Sequence, residues 1–163
     1  MLYLSVIYRT IRKEDNERLA AIIRAGISEF DVPKEGTAFT DPTTDDLYEL
    51  FLTPRSTYWV AEEDGIILGG CGIFPTPGLP PGCGELVRFF LAAEARGKGI
   101  GYTLMKKSFE AAKALGYEKL YIESFPEMMR AVSMYEKAGF RYLDAALGNS
   151  GHYACNVWML KDL

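Results

Sequence analysis

The segment that decides the fold is Arg-Gly-Lys-Gly-Ile-Gly at residues 96–101. It follows a β-rich apolar run at 85–91 and opens the most regular amphipathic stretch of the chain, residues 99–115. Alternating glycines let a backbone approach a ligand closely and adopt positive φ angles. The N–H groups of a first helical turn have no intrahelical partners, and the helix dipole makes them a site for phosphates. The spacing therefore predicts a strand, a phosphate-binding loop and a helix in succession.

Other phosphate-binding patterns fit this segment less well. A nucleotide P-loop needs Ser or Thr after its lysine, but Gly99 follows Lys98. A dinucleotide fingerprint needs a third glycine where Tyr102 stands. The pattern Arg/Gln-x-x-Gly-x-Gly/Ala, which binds a pyrophosphate, does fit. A tight strand–helix turn without a ligand is the alternative.

A second motif lies downstream, where residues 131–140 read AVSMYEKAGF. With both motifs the chain resembles the GNAT superfamily of N-acetyltransferases across roughly residues 85–143. The matching residues are Phe89, Leu91, Arg96, Gly97, Gly99 and Gly101 in the first motif, and Ala131, Tyr135, Glu136, Lys137, Gly139 and Phe140 in the second. Two positions depart from the family pattern. Ala93 replaces a usual proline, and Met128 replaces a common asparagine, which puts a cofactor contact from that side chain in doubt.

The remaining sequence predicts alternating strands and helices around these motifs. The predicted strands are 3–12, 58–62, 66–74, 85–91, 119–124, 140–143 and 152–160, and the predicted helices are 14–30, 42–52, 99–115 and 126–139. Residues 75–84, rich in Pro and Gly, are predicted to be irregular. Glu63-Asp64-Gly65 indicates a hairpin between the second and third strands, and Gly116 is predicted to be a left-handed C-terminal cap of the helix at 99–115. The order β-α-α-β-β-β-α-β-α-β-β indicates an α/β fold with one mixed sheet and helices on both faces. The resemblance implies a mostly antiparallel sheet with a central splay, and we expect a single domain over residues 1–163.

Composition excludes several classes of protein. The chain has 163 residues, is 48% hydrophobic and carries a net charge of −4, so a globular domain is expected and a nucleic-acid partner is disfavoured. No apolar run approaches the length of about 18 residues that a membrane span needs. Cys71, Cys83 and Cys155 form no CxxC pair. We therefore expect a reduced, cytoplasmic protein without a metal site.

The resemblance implies acetyl-CoA as cosubstrate and direct attack by a primary amine in a ternary complex. The backbone of Phe89 and Leu91 would pair with the pantetheine arm, and the Leu91 N–H would stabilise the oxyanion. The backbone N–H groups of the glycine loop would hold the pyrophosphate; its residues are Arg96, Gly97, Lys98, Gly99, Ile100 and Gly101.

Tyr135 matches the family's frequent general acid, although a core aromatic is the structural alternative. Glu85 is the favoured general base, and strict alternation along the strand places it on the same face as Val87, Phe89 and Leu91. A solvated residue at a strand start is the alternative. Glu123, His152 or water are other candidates for the base. We place Arg88 on the strand face opposite Glu85. It could bind an acidic group of the substrate or be a surface charge, and we expect the surface charge.

The acceptor amine is expected to enter opposite the cofactor, between residues 28–55, 75–84 and 144–153. The first range contains a group of acids that could attract a cationic amine or form a solvated surface: Glu29, Asp31, Glu35, Asp41, Asp45 and Asp46. The identity of the amine stays open, and both a small molecule and a peptide are compatible with the sequence. A homodimer is possible. The alternative function is a non-catalytic acyl-CoA-binding sensor or partner-binding module.

Overall fold

The computed structural model describes residues 5–163. The strands are β1 (Ile7–Thr10), β2 (Thr57–Glu63), β3 (Ile66–Phe74), β4 (Cys83–Leu91), β5 (Lys119–Ser124), β6 (Arg141–Tyr142) and β7 (Val157–Asp162). The helices are α1 (Asn16–Ser28), α2 (Leu47–Leu50), α3 (Ile100–Ala114) and α4 (Met129–Lys137). The succession of strands and helices agrees with the prediction.

The strands of residues 5–163 form one sheet in the order β1-β2-β3-β4-β5-β7-β6. Every neighbouring pair is antiparallel except β4 and β5, which are parallel. β4 pairs with β5 only at its first three residues, Cys83, Gly84 and Glu85. Beyond Glu85 the two strands separate, so the predicted α/β fold with a mixed, splayed sheet is confirmed.

The helices pack on both faces of the sheet. Gly26 of α1 lies against the Phe90 ring, where an added Cβ would lie 2.6 Å from its Cδ1 atom. Gly101 of α3 lies against the side chains of Leu91 and Phe89. Because side chains alternate along a strand, α1 and α3 cover opposite faces. The predicted apolar stripe of α3 is buried at Ile100 and Leu104.

A β-bulge interrupts this alternation in the middle of β4. Val87 pairs with Gly72 and Phe90 with Gly70, so Arg88 and Phe89 together oppose the single residue between those glycines. Arg88 has a φ of 51°, a left-handed conformation that is uncommon for a residue with a side chain. The extra residue shifts every later side chain of β4 to the other face.

Buried Tyr58 of β2 supports the bulge, because its hydroxyl donates a hydrogen bond of 2.8 Å to the Arg88 carbonyl. The ring crosses β3 over Gly70 and Gly72. A Cβ atom would lie 2.3 Å from Tyr58 Cε1 at Gly70 and 2.7 Å from Tyr58 Cδ2 at Gly72. The two glycines therefore leave the space through which Tyr58 reaches β4.

Several predicted boundaries were wrong. β4 begins at Cys83 rather than at residue 85, because Cys83 and Gly84 already pair with β5. α4 begins at Met129 rather than at 126, after a turn closed by a 3.1 Å hydrogen bond from the Met128 N–H to the Phe125 carbonyl. β1 is shorter than predicted, and residues 3 and 4 of that prediction lie outside the described residues.

The last strand begins at Val157 rather than at 152. Residues 152–156 form a loop instead, tied down by a hydrogen bond of 3.0 Å from the Ala154 N–H to the Gly36 carbonyl. His152 of this loop bonds Asp41. The local composition favours a strand here, but contacts with Gly36 and Asp41 hold these residues in a loop.

Candidate active site

A cleft of about 370 Å³ opens where β4 and β5 separate, and α1, α3 and α4 contribute to its walls. It brings together residues predicted from both motifs. Its lining includes Glu85, Arg88, Gly99, Glu123, Tyr135 and His152. The cleft has two parts, because the bulge places the β4 side chains on two faces. Phe89 and Leu91 lie towards α3, and Glu85 lies on the opposite face.

The glycine loop forms one end of this cleft. Gly97 and Gly99 have φ angles of 76° and 80°, and a Cβ added at either would meet nothing within 4 Å. The positive φ angles explain why glycine occupies both positions, and the open space is what a phosphate would need. Lys98 is exposed, whereas Ile100 is buried, so Ile100 offers only its backbone.

Arg96 is already bonded to the protein. Its guanidinium pairs with Glu29 at the end of α1, with N–O distances of 2.5 and 2.9 Å. It also donates to the Leu91 carbonyl at 3.1 Å. Arg96 therefore links the loop to α1 and β4, and its positive charge is shared with Glu29.

The open edge of β4 offers unpaired backbone groups to the cleft. The Ala92 N–H donates to the Leu68 carbonyl at 2.8 Å, so it points towards β3. Because N–H directions alternate along an antiparallel strand, those of Leu91 and Phe89 point away from β3. On that side β5 has already separated. The Leu91 N–H therefore faces the open edge of β4.

Tyr135 lines the cleft and is also part of the core. Its ring packs against those of Phe89 and Phe140, with centroid distances of 6.3 and 5.7 Å. Burial raises the pKa of its hydroxyl well above the ordinary value, so the hydroxyl keeps its proton at neutral pH. The structural and the functional interpretations of Tyr135 therefore coexist.

Glu85 is buried, so the alternative of a solvated residue at the strand start is wrong. Burial, followed by the negative charge of Glu123, raises its pKa to about 8. The Thr76 hydroxyl donates a hydrogen bond of 2.7 Å to it. Glu123 in turn accepts hydrogen bonds from Tyr121, at 2.8 Å, and from Ser150. Two carboxyl groups thus share one part of the cleft.

The expectations for β4 side chains also need correction. By register, Glu85 pairs with Phe74 and Phe90 with Gly70, residues on one face of β3. Leu91 pairs with Gly69 on the other face. Because of the bulge, Glu85 therefore does not share a face with Phe89 and Leu91, which point towards α3 and α4.

Arg88 is not a surface charge, since its side chain is only 5% exposed. Nor is it remote from Glu85, because the two groups line one cleft and their charges influence each other. Its Nη2 donates to Asp41 at 2.9 Å and to Thr43 at 3.2 Å. The left-handed backbone at the bulge is what directs the side chain here.

Asp41 connects Arg88 with the loop that carries His152, whose Nε2 lies 2.7 Å from Asp41 Oδ2. Burial opposes ionisation of Asp41, but hydrogen bonds from Thr43 and His152 and the charge of Arg88 outweigh it and lower its pKa to about 2. The sequence marked Asp41 only as one acid among several. Its place before Pro42 and Thr43, typical of a helix N-cap, was the available signal.

Two further observations concern metals and membranes. Among residues 5–163, no group of three or more His, Cys, Asp or Glu side chains is arranged to hold a metal ion. Within the same part of the chain, none of the helices combines the length and the apolar character that crossing a bilayer requires.

Comparison with known proteins adds independent evidence. The sequence model described as "Acetyltransferase (GNAT) family" matches residues 14–140. The chain is 34% identical to the uncharacterized N-acetyltransferase YjgM of Escherichia coli strain K12 over 160 residues, which are 98% of this chain and 96% of that protein.

Solved structures share the fold. A GNAT-family acetyltransferase from Staphylococcus aureus Mu50 superposes with a TM-score of 0.80 at 16% identity, covering 98% of this chain and 99% of the other. The PaiA N-acetyltransferase of Thermoplasma acidophilum, crystallised with coenzyme A, gives a TM-score of 0.76 at 18% identity, covering 98% and 100%.

Proposed function

The chain belongs to the GNAT family of acetyltransferases and is an acyltransferase, and on that premise we propose that it transfers the acetyl group of acetyl-CoA to a primary amine. The observation that carries the proposal is the open edge of β4 beside a glycine loop with two positive φ angles. We also propose that residues 1–163 act as one domain, which the single sheet supports.

The cofactor end of the cleft fits a pyrophosphate and a pantetheine arm. Gly97 and Gly99 leave open space at the first turn of α3, whose N–H groups favour an anion. The N–H groups of Phe89 and Leu91 point to the open edge of β4 and can bond an extended chain. When bound, acetyl-CoA would supply an activated acetyl thioester. The Leu91 N–H would then stabilise negative charge that develops on its carbonyl oxygen.

The ionised form of Glu85, which is the minor form at neutral pH, would accept the proton that the attacking amine must lose. A carboxyl group with a pKa of about 8 is close enough to neutrality to exchange protons with an ammonium group. Burial, followed by the charge of Glu123, keeps that pKa high, and Thr76 holds the carboxyl group through its hydrogen bond. Glu85 and Glu123 line the part of the cleft that we assign to the acceptor and call its acceptor end.

Tyr135 would donate a proton to the departing thiolate. Its buried hydroxyl stays protonated at neutral pH, which a general acid requires. A thiol ionises near pH ~8.5, so the thiolate is already a fair leaving group. We therefore expect Tyr135 to accelerate the reaction without being essential for it.

The proposal is tested by thermal melting with acetyl-CoA, followed by an assay of thiol release with a panel of amines. Acetyl-CoA at 100 times its Kd should raise Tm by about 5–10 °C for a chain of this size. The variant Gly99→Glu should lose this shift, because its side chain would fill the phosphate space.

The matched control is Gly65→Glu in the β2–β3 hairpin. Gly65 has a φ of 75° and nothing within 4 Å of an added Cβ, so it bears a similar backbone strain away from the cleft. Gly65→Glu should have a lower Tm than the wild type but should show the same increase in Tm with acetyl-CoA. Absence of a shift in the wild type would refute acetyl-CoA binding. A shift without thiol release from any amine would favour the non-catalytic binding module.

A further inference from the structure

Arg88 has binding capacity that the protein itself does not use. Its side chain is 5% exposed, and its hydrogen bonds are all made by Nη2. Within residues 5–163, its buried Nε has no hydrogen-bond partner. A guanidinium carries five N–H donors, and buried donors without partners are costly. This arginine is therefore incomplete without a further acceptor.

The fold directs this arginine to the acceptor end of the cleft by a strained arrangement. Arg88 adopts a φ of 51° at the bulge, and the Tyr58 hydroxyl holds its carbonyl. Left-handed conformations of residues with side chains persist where the surrounding structure imposes them, often at ligand sites. Asp41 and Thr43 hold Nη2, which also lies 3.5 Å from His152 Nε2, and no other nitrogen of the guanidinium has a hydrogen bond within residues 5–163. Arg88 lines the same cleft as Glu85 and Glu123.

The charges of this region favour a ligand that carries both signs. Asp41 already balances part of the positive charge of Arg88, so a singly charged anion suits the remaining donors better than a doubly charged one. The planar guanidinium matches the planar carboxylate in shape and hydrogen-bond directions. The carboxyl groups of Glu85 and Glu123 lie in the same cleft and can receive an ammonium group.

We propose that the acceptor is a small amine that also bears a carboxylate, such as an amino acid, and that Arg88 binds this carboxylate while the amine lies near Glu85. The inference rests on the proposed acetyl transfer, since it names the class of acceptor. Arg88 acts here in specificity, not in the chemical step.

The experiment compares each of the common L-amino acids with its own α-carboxamide, which lacks only the negative charge. One measurement is kcat/KM from thiol release with acetyl-CoA. A second does not need turnover: the melting shift of CoA-saturated protein with the N-acetyl amino acid and with its amide. The α-amides of aspartate and glutamate distinguish a side-chain carboxylate from the α-carboxylate.

The variants are Arg88→Met, which removes the guanidinium, and Arg88→Lys, which keeps a charge if the first fails to fold. Arg24→Met is the matched control, because Arg24 also pairs with an aspartate, Asp45, but does not line the cleft. For at least one amino acid, the wild type should favour the acid over its amide by about 100-fold. Arg88→Met should lose that preference, Arg88→Lys should reduce it because it lacks the bidentate fork, and Arg24→Met should retain it.

Equal or better use of the amides by the wild type would overturn the inference, and so would a preference that survives in Arg88→Met. Absence of both turnover and binding for every pair would overturn it as well. If no amine releases CoA but N-acetyl amino acids bind through Arg88, the carboxylate site stands and the proposed transfer fails.

Discussion

Glu85 makes the stability of the protein depend on pH in a direction opposite to that of most acidic residues. Its pKa is raised from 4.5 to about 8 in the folded state, mainly by burial. Between these two values the folded protein holds a proton that the unfolded chain has released. The free energy of unfolding should therefore fall as pH rises from about 4.5 to about 8, and this contribution should be constant above that.

The magnitude follows from the difference between the two pKa values. About 8 less 4.5 is about 3.5 pKa units, and at about 1.36 kcal/mol per unit the full effect is at most about 5 kcal/mol. The substitution Glu85→Gln removes the titration but keeps the size of the side chain and an oxygen that can accept the hydrogen bond from Thr76. Other titrating groups are common to both proteins, so the difference between them isolates Glu85.

The assay is urea denaturation of the wild type and Glu85→Gln at intervals between pH 5 and pH 9. The two proteins should have similar free energies of unfolding at pH 5, and the wild type should become progressively the less stable one towards pH 8. Glu123→Gln removes the neighbouring negative charge and so lowers the pKa of Glu85. In this variant the loss of stability should be complete at a lower pH than in the wild type. A difference between wild type and Glu85→Gln that is constant across this range would refute a raised pKa at Glu85.

Two other substitutions test parts of the site. Tyr135→Phe keeps the packing against Phe89 and Phe140, so it should lower kcat by about 100-fold while the melting shift with acetyl-CoA persists; an unchanged kcat would leave Tyr135 a core residue only. Tyr58→Phe removes the hydrogen bond to the Arg88 carbonyl, so urea denaturation should show a loss of about 1 kcal/mol. The same variant should raise KM for the acceptor more than KM for acetyl-CoA, and equal changes in the two values would contradict a role for Tyr58 in holding the bulge.

The sequence predicted the features that depend on local pattern. The spacing of Ile100 and Leu104 predicted the buried stripe of α3, and both side chains are buried. Gly116 was predicted to cap that helix in a left-handed conformation, and it has a φ of 89°. The hairpin around Asp64 and Gly65 also has the expected positive φ angles, 51° and 75°.

The errors concern features that distant parts of the chain determine. Strict alternation along β4 gave the wrong face for Phe89 and Leu91, because the bulge depends on Tyr58 reaching across β3. The local sequence left solvation of Glu85 open as an alternative, because its burial and its hydrogen bond from Thr76 come from tertiary packing. The local sequence around Arg88 could not predict its ion pair with Asp41, because Asp41 lies 47 positions away. The catalytic and cofactor-binding roles themselves stay predictions.

The bulge in β4 also has an evolutionary consequence. Under the proposed function, Glu85 and Arg88 of one strand serve the acceptor, whereas Phe89 and Leu91 serve the cofactor. The extra residue places Phe89 and Leu91 against α3, on the face opposite to that of Glu85. Substitutions at the first pair can accumulate without disturbing the packing of the second. A lineage built on this strand can therefore exchange one acceptor for another while its donor stays the same, and a deletion of one residue would abolish that independence at once.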